Sequence, residues 1–237
     1  MTTNNQKVAL ITGGSKGIGL GIAAALLRSG YKVAVTSRSH ESAEAAARQL
    51  EVSGEVLGIA ADVKDLTSQQ RAVQQILDKW GRLDVLVANA GIGTFAPIDE
   101  LDVKTWQETI DTNLTGVFYS IKACVEEIKR TEGHIITISS LAGTNFFANG
   151  AAYNASKFGL TGFTQAVMLD LRKYNVKVCT IMPGSVATHF NEHEPDAEKD
   201  AWKIQPEDIG QLVNDLLNMH PRTLPSKIEI RPTLPKS

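Results

Sequence analysis

Tyr153 stands four residues before Lys157 in "AAYNASKFGLTGF", and residues four apart are neighbours on one face of a helix. A free tyrosine titrates near 10, so its phenolate is scarce at neutral pH. Bringing that value to about 7 takes roughly 4 kcal/mol of preference for the phenolate. One ammonium about 4 Å away in a partly shielded site supplies energy of that order. The pair therefore predicts a phenol that gives a proton to a carbonyl oxygen or takes one from an alcohol. A bare Tyr-x-x-x-Lys is common by chance, and its surroundings give it weight. Upstream, the apolar run "HIITISS" ends at Ser140. Ligands of parallel sheets bind outside the carboxyl ends of the strands, so Ser140 is placed to hold a substrate oxygen.

A second chemical signal lies near the start. "KVALIT" runs into "TGGSKGIGLG", with Gly13, Gly17 and Gly19 where the chain turns from strand to helix. Glycines there let the backbone approach a pyrophosphate, and the helix N-terminus offers free amides and a partial positive charge. The glycine pattern is informative because it follows a strand and opens a helix. In sites for NAD an acidic residue at the end of the second strand holds the ribose 2′-hydroxyl. Here that place reads "TSRSHE": Ser37 replaces the acid, with Arg38 and Ser39 following. Arg38, Lys16 of the glycine turn, and the two hydroxyls suit a 2′-phosphate, which a guanidinium grips through a fork of donors. NADP(H) is the expected cofactor; the alternative for Arg38 and Lys16 is two solvated surface charges.

These groups need a scaffold. Short apolar runs at 7–12, 32–37, 55–61, 84–90, 134–140, 176–182 and 227–230 alternate with helical patterns at 17–29, 41–51, 67–80, 102–129, 151–174 and 206–218. Most runs are apolar throughout, as strands covered on both faces are. Repeated strand–helix alternation with right-handed crossovers predicts an α/β fold, a single Rossmann-type doubly wound parallel sheet of about seven strands with helices on both faces. Thr67 or Ser68 is the expected cap of the third helix, and Gly81 its left-handed end. Residues 1–237 read as one dinucleotide-binding and catalytic domain. The polar insertion "HFNEHEPDAEKDAWKIQ", 189–205, reads as a surface loop or short helices over the substrate, and the tail "RPTLPKS" as loosely held.

Bulk properties narrow the classes. The 237 residues are 43% hydrophobic and 21% charged, with a net charge of -2. That suits a globular core and gives no field for nucleic acid or an anionic membrane. No window has the continuous apolar length of a membrane span, and the N-terminus is not a secretory signal. Cys124 and Cys179 are far apart and form no redox or metal spacing, which fits a reducing cytoplasm. His189 and His193 have a spacing that can hold zinc. The proton chemistry above needs no metal, and none is expected.

In order along the chain, the motifs resemble those of the short-chain dehydrogenase/reductase family, in its compact NADP(H)-preferring branch. "TGGSKGIG" is similar to its cofactor turn, bringing Ser15 and Ile18 into the expected contacts. Asp62–Val63 resembles its adenine contact, and Asn89, Ala90 and Gly91 its strand-four motif, which supports the sheet and the adenosine ribose. Asn113, Ser140, Tyr153 and Lys157 match its active-site tetrad. "PGSVAT" resembles the segment holding the nicotinamide carboxamide, with Pro183, Gly184, the Val186 backbone and the Thr188 hydroxyl. The resemblance implies that Lys157 binds nicotinamide-ribose hydroxyls, and that Asn113 breaks a helix hydrogen bond so that water links Lys157 to solvent. It implies a small carbonyl or alcohol substrate and a homodimer or homotetramer, pairing through helices 102–129 and 151–174. The end "KIEIRPTLPKS" lacks the glycine pair many relatives carry after the last strand, which weakens a transfer of ketoacyl-thioester substrates. The expected activity is NADPH-dependent carbonyl reduction. Its alternatives are a ketoacyl-thioester reductase and a non-catalytic NADP-binding regulator. Segments 92–96 and 141–147, Ser185 and loop 189–205 are the candidates for substrate choice, with Phe95, Phe146, Phe147, Phe190 and Trp202 as possible apolar walls.

Overall fold

Side-chain alternation decides the layers. In β1 (Val8–Ile11) every residue is fully buried. Val8 and Leu10 enter one core and Ala9 and Ile11 the other, because successive strand side chains point to opposite faces. The computed structural model, which describes residues 6–235, places β1 in a seven-stranded sheet of order β3-β2-β1-β4-β5-β6-β7. The other strands are β2 (Lys32–Ser37), β3 (Val56–Ala60), β4 (Val85–Ala88), β5 (His134–Ile138), β6 (Lys177–Pro183) and β7 (Lys227–Ile230). Every neighbouring pair is parallel.

Helices α1 (Gly17–Arg28), α2 (His40–Leu50) and α7 (Pro206–Leu217) cover the face that carries Ala9, Val33, Val87, Ile136 and Ile181. Helices α3 (Leu66–Trp80), α5 (Gly116–Arg130) and α6 (Ala151–Leu171) cover the face that carries Leu10, Ala34, Leu86, Ile135 and Val178. The chain builds outward from β1 to β3, then returns and builds the other way from β4. That reversal opens a crevice beyond the carboxyl ends of β1 and β4. No helix among the described residues is long and apolar enough to cross a membrane.

Two expectations change here. The helix expected over 102–129 is α4 (Val103–Ile110), a π-helical turn at Asp111–Thr115, and then α5. In that turn the Gly116 amide reaches back five residues to the Asp111 carbonyl; such turns insert an extra residue and gather at functional positions. The cap of α3 is Asp65, which accepts from the Thr67 amide at 2.8 Å. Ser68 instead accepts from the Asp62 amide at 3.2 Å, and an aspartate competes better for the cap because it is ionised. Gly81 does end α3 in the left-handed region, with φ 73°.

Candidate active site

The glycine turn is built to meet something from outside. Gly13 has φ +63° and Gly17 φ +55°, a region a Cβ disfavours. A Cβ on Gly19 would fall 2.5 Å from the Gly13 carbonyl and 2.6 Å from the Asn89 amide nitrogen. Lys16 caps α1 without a side-chain bond, and the first turn holds no acid. The exposed amides of α1 thus face the crevice with their positive potential unquenched, which fits a pyrophosphate. Ser15 and Ile18 flank them, half-buried.

The turn is tied to its neighbours by hydrogen bonds. Asn89 donates to the Thr12 and Gly13 carbonyls, both at 3.0 Å. Thr12 Oγ1 accepts from the Asn89 and Ala90 amides, and the Gly14 amide donates to the Thr36 carbonyl at 3.0 Å. A Cβ on Gly17 would meet Thr188 at 3.1 Å, so the segment after β6 closes on the same turn.

The predicted binding residues gather along this one edge. Ser37, Arg38 and Ser39 follow β2, Asp62 and Val63 follow β3, Asn89 to Gly91 follow β4, and Pro183, Gly184, Val186 and Thr188 end or follow β6. Arg38 and Lys16 are exposed and have no ion pair among the described residues, so both charges are available to an anion. The Ser39 hydroxyl is differently engaged: it accepts from the Ser42 amide at 3.2 Å and donates to Ser42 Oγ at 2.8 Å, capping α2. Thr36 Oγ1, buried in β2 beside the glycine turn, is the one buried side-chain polar atom without a partner among the described residues. Asp62 accepts from the Lys64 amide, and Val63 packs on Gly116. Val186 bridges Ile204 through the Ser185 carbonyl and the Ala187 amide. Its own amide and carbonyl point the other way, as an offer to a carboxamide requires.

Tyr153 and Lys157 do share one compartment. Both are buried, and Lys157 Nζ lies 5.7 Å from the Tyr153 ring centre and donates to the Ile138 carbonyl at 3.0 Å. Among the protein's own groups, burial raises the Tyr153 pKa, and the opposing influence is a hydrogen bond with Ser140. Burial brings the Lys157 pKa down to about 8, and its ammonium donates to the Ile138 carbonyl. The protein's own groups therefore keep the phenol protonated at neutral pH.

Asn113 interrupts the regular helix hydrogen bonding, as a π turn does. It sits in the π turn, fully buried. Its Oδ1 accepts from the Ile92 amide at 2.8 Å, and its Nδ2 donates to the Ile92 carbonyl at 2.9 Å and to Ser156 Oγ at 3.1 Å. The side chain clamps the segment that leaves β4.

Three positioning residues carried no signal in the sequence. Asn154 donates to the Ala142 and Asn145 carbonyls, both at 2.8 Å, and accepts from the Phe147 amide at 3.4 Å. Ser156 links Asn113 to the Tyr153 carbonyl. Ser139 bonds the Lys157 carbonyl and Thr161. Each ties α6 or β5 to a segment distant in sequence, and only the "NAS" and "SS" contexts around the reactive residues mark them.

Insertion 189–205 holds a short 3₁₀ turn at Phe190–Glu192, within the expected loop or short helices, and side chains tie it together. Asp200, buried, bonds His193 at 2.5 Å and Lys203 at 2.8 Å, and accepts from the Asp196 amide. Lys203 and His193 hold its carboxyl well below the usual carboxylate range. Gln205 closes the knot on the Asp200 and Lys203 carbonyls. His193 is thus committed to Asp200, and among the described residues no three His, Cys, Asp or Glu side chains gather as a metal site would. Of the five candidate aromatics, Phe95 and Phe190 contact Tyr153, Phe147 packs on Phe95, Phe146 is 86% exposed and Trp202 lies under Lys203. The tail beyond residue 235 lies outside the described residues.

Comparison with known proteins places this geometry. The family described as short chain dehydrogenase matches residues 7–199. Trans-4-hydroxycyclohexanecarboxylate dehydrogenase of Sinomonas cyclohexanicum is 38% identical over 190 residues, 77% of this chain and 73% of that protein. A 3-oxoacyl-[acyl-carrier-protein] reductase of Synechocystis sp. is 38% identical over 196 residues, 81% of this chain and 79% of that one. The structure of an alcohol dehydrogenase from Thermococcus sibiricus, complexed with 5-hydroxy-NADP, superposes with TM-score 0.92 at 31% identity, covering 98% of this chain and 99% of its own.

Proposed function

Because this chain belongs to the short chain dehydrogenase family, we propose that it is an NADPH-dependent carbonyl reductase with Tyr153 as its general acid. The carrying observation is one compartment beyond β5 that holds Tyr153, Ser140 and Lys157 on the crevice edge shared with the glycine turn. Gly13, Gly17 and Gly19 cradle the pyrophosphate, Arg38, Lys16 and Ser37 take the 2′-phosphate, and Asp62 and Val63 the adenine. Val186, Thr188 and Lys157 hold the nicotinamide end. When bound, the reduced nicotinamide supplies a hydride to the carbonyl carbon. Ser140 holds the carbonyl oxygen against Tyr153. Tyr153 then gives its proton to that oxygen as charge develops there, and an alcohol leaves. A phenol kept protonated by burial suits this direction better than alcohol oxidation. Lys157 steadies the phenolate that remains, and Asn113 fixes segment 91–92 against the site.

The test is a panel of ketones and aldehydes, followed by NADPH absorbance. Consumption with alcohol formation supports the reading, and tight NADPH binding without turnover on any carbonyl favours a regulator instead. A ketoacyl-thioester reductase is the nearer alternative, kept open by the Synechocystis relative.

Lys157 supplies a pH signature. Its ammonium is lost as pH rises through about 8, which removes positive charge from the dinucleotide site. NADPH Kd is expected to weaken about fivefold between about pH 7 and about pH 9.5 in the wild type. A Lys157→Met variant should show a flatter titration, and parallel profiles would refute the assignment. The linked stability runs oppositely: the unfolded lysine holds its proton to near 10.4, so stability rises from about pH 8 toward that value.

We place the chain in the cytoplasm, supported by two free buried cysteines, as one catalytic unit acting on a small molecule. Phe118 of α5 and Phe158 and Leu169 of α6 are exposed, which supports self-association through these helices. Light scattering is expected to give a dimer or tetramer at micromolar concentration, and a monomer would remove this element.

A further inference from the structure

Two phenylalanines from separate segments flank Tyr153, and a third, from another segment, backs one of them. The ring centre of Phe95, after β4, lies 5.4 Å from that of Tyr153 at an interplanar angle of 84°. Phe147, after β5, stands 5.5 Å from Phe95 at 70°. Phe190, in the insertion after β6, lies 5.7 Å from Tyr153 at 56°. These are edge-to-face or tilted contacts of the kind aromatic pairs prefer.

Each wall is fixed from behind. The Phe147 amide donates to Asn154, whose amide nitrogen holds two further carbonyls of that loop. Next to Phe95, the Ala96 amide donates to the Asn149 carbonyl at 2.9 Å. The Phe190 amide donates to Thr188 Oγ1 at 3.3 Å, and its ring occupies the space that a Cβ on Gly93 would take. Yet all three rings remain 37–47% exposed. They are walls of an open cup rather than core. Its floor is the hydrogen-bonded pair Tyr153 and Ser140.

We infer that the substrate is an uncharged carbonyl attached to a flat or cyclic apolar group, an aryl or alicyclic ketone, and that Phe190 is a specificity-determining residue. This rests on the reading of Tyr153 as the general acid. The two hydroxyls hold the carbonyl oxygen. A ring beside that carbonyl meets the Phe95 and Phe190 rings, with Phe147 behind Phe95, and strips little water from polar groups. A linear aliphatic ketone buries similar carbon but loses chain entropy and makes no ring contacts. Phe190 couples the cup to the dinucleotide segment through Thr188.

The experiment compares kcat/KM with NADPH for acetophenone, 2-octanone (the same number of carbons) and an acetoacetyl thioester, in the wild type, Phe190→Ala, Phe190→Leu and Gly93→Ala. Acetophenone is expected to exceed 2-octanone by at least about tenfold. Phe190→Ala should erase most of that margin with NADPH Kd and Tm nearly unchanged, and Phe190→Leu should recover part of it. Gly93→Ala, which forces the Phe190 ring aside, should act like Phe190→Ala. Equal wild-type values, a thioester preference, or an equal loss on both ketones in Phe190→Ala would overturn the inference while leaving carbonyl reduction intact. Absence of turnover on every carbonyl, with NADPH bound, would overturn both.

Discussion

Tyr153→Phe is expected to lower kcat for ketone reduction by about 10²–10⁴-fold, the range that a positioned proton donor contributes. NADPH Kd should stay within about twofold. The substitution removes one oxygen and leaves the ring, so the contacts of Tyr153 with Phe95 and Phe190 persist and α6 keeps its packing. The lost group is the proton that must reach the carbonyl oxygen when hydride arrives. Ser140 cannot replace it, because a serine hydroxyl is a far weaker acid than a phenol. The geometry adds a distinguishing detail. Burial holds the phenol protonated, and Ser140 pulls the other way. Ser140→Ala should therefore move the alkaline limb of the kcat profile upward, because it removes a hydrogen bond that favours the phenolate. A Tyr153→Phe enzyme that turns over at the wild-type rate would end the proposed role.

The second large effect is on cofactor choice. Arg38→Asp should lower the NADPH-to-NADH ratio of kcat/KM by at least about tenfold, since a charge-assisted contact is worth about 1.5–3 kcal/mol. Reversal of charge adds repulsion of the 2′-phosphate, and an aspartate at the end of β2 can accept from a ribose 2′-hydroxyl. Arg38 is exposed and free of ion pairs among the described residues, so the substitution breaks nothing in the fold, and Tm should not move. Lys16 supplies residual attraction, and Lys16→Ala in the Arg38→Asp background should deepen the switch. An unchanged ratio would remove the 2′-phosphate assignment.

The scaffold was legible because burial leaves a periodic mark. Runs such as "KVALIT" and "KVAVTS" are apolar throughout because both faces of the sheet are covered. Gly81 was legible as a helix end because a left-handed residue at that place is nearly always glycine or asparagine. The cap of α3 was not, since Asp65, Thr67 and Ser68 are all plausible caps by type. What separates them is which backbone amide each side chain reaches. Helix 102–129 read as continuous because a π turn inserts only one extra residue and leaves no Gly or Pro break in the sequence before Gly116.

The site divides along the same line. Reactive groups are recognisable from residue type and local spacing: Tyr153 and Lys157 are one helical turn apart, and the glycines sit between strand and helix. Those relations are set within a few residues, where chain geometry leaves little choice. The sign of the Tyr153 shift, the engagement of the Ser39 hydroxyl on Ser42, the seating of Asn113 on Ile92 and the choice of Phe147 over Phe146 as a wall were decided only by the tertiary structure. Desolvation sums over atoms brought in by remote segments, and a loop side chain turns toward whichever neighbour folding delivers. Neither quantity is carried by the order of residues along a short stretch of chain.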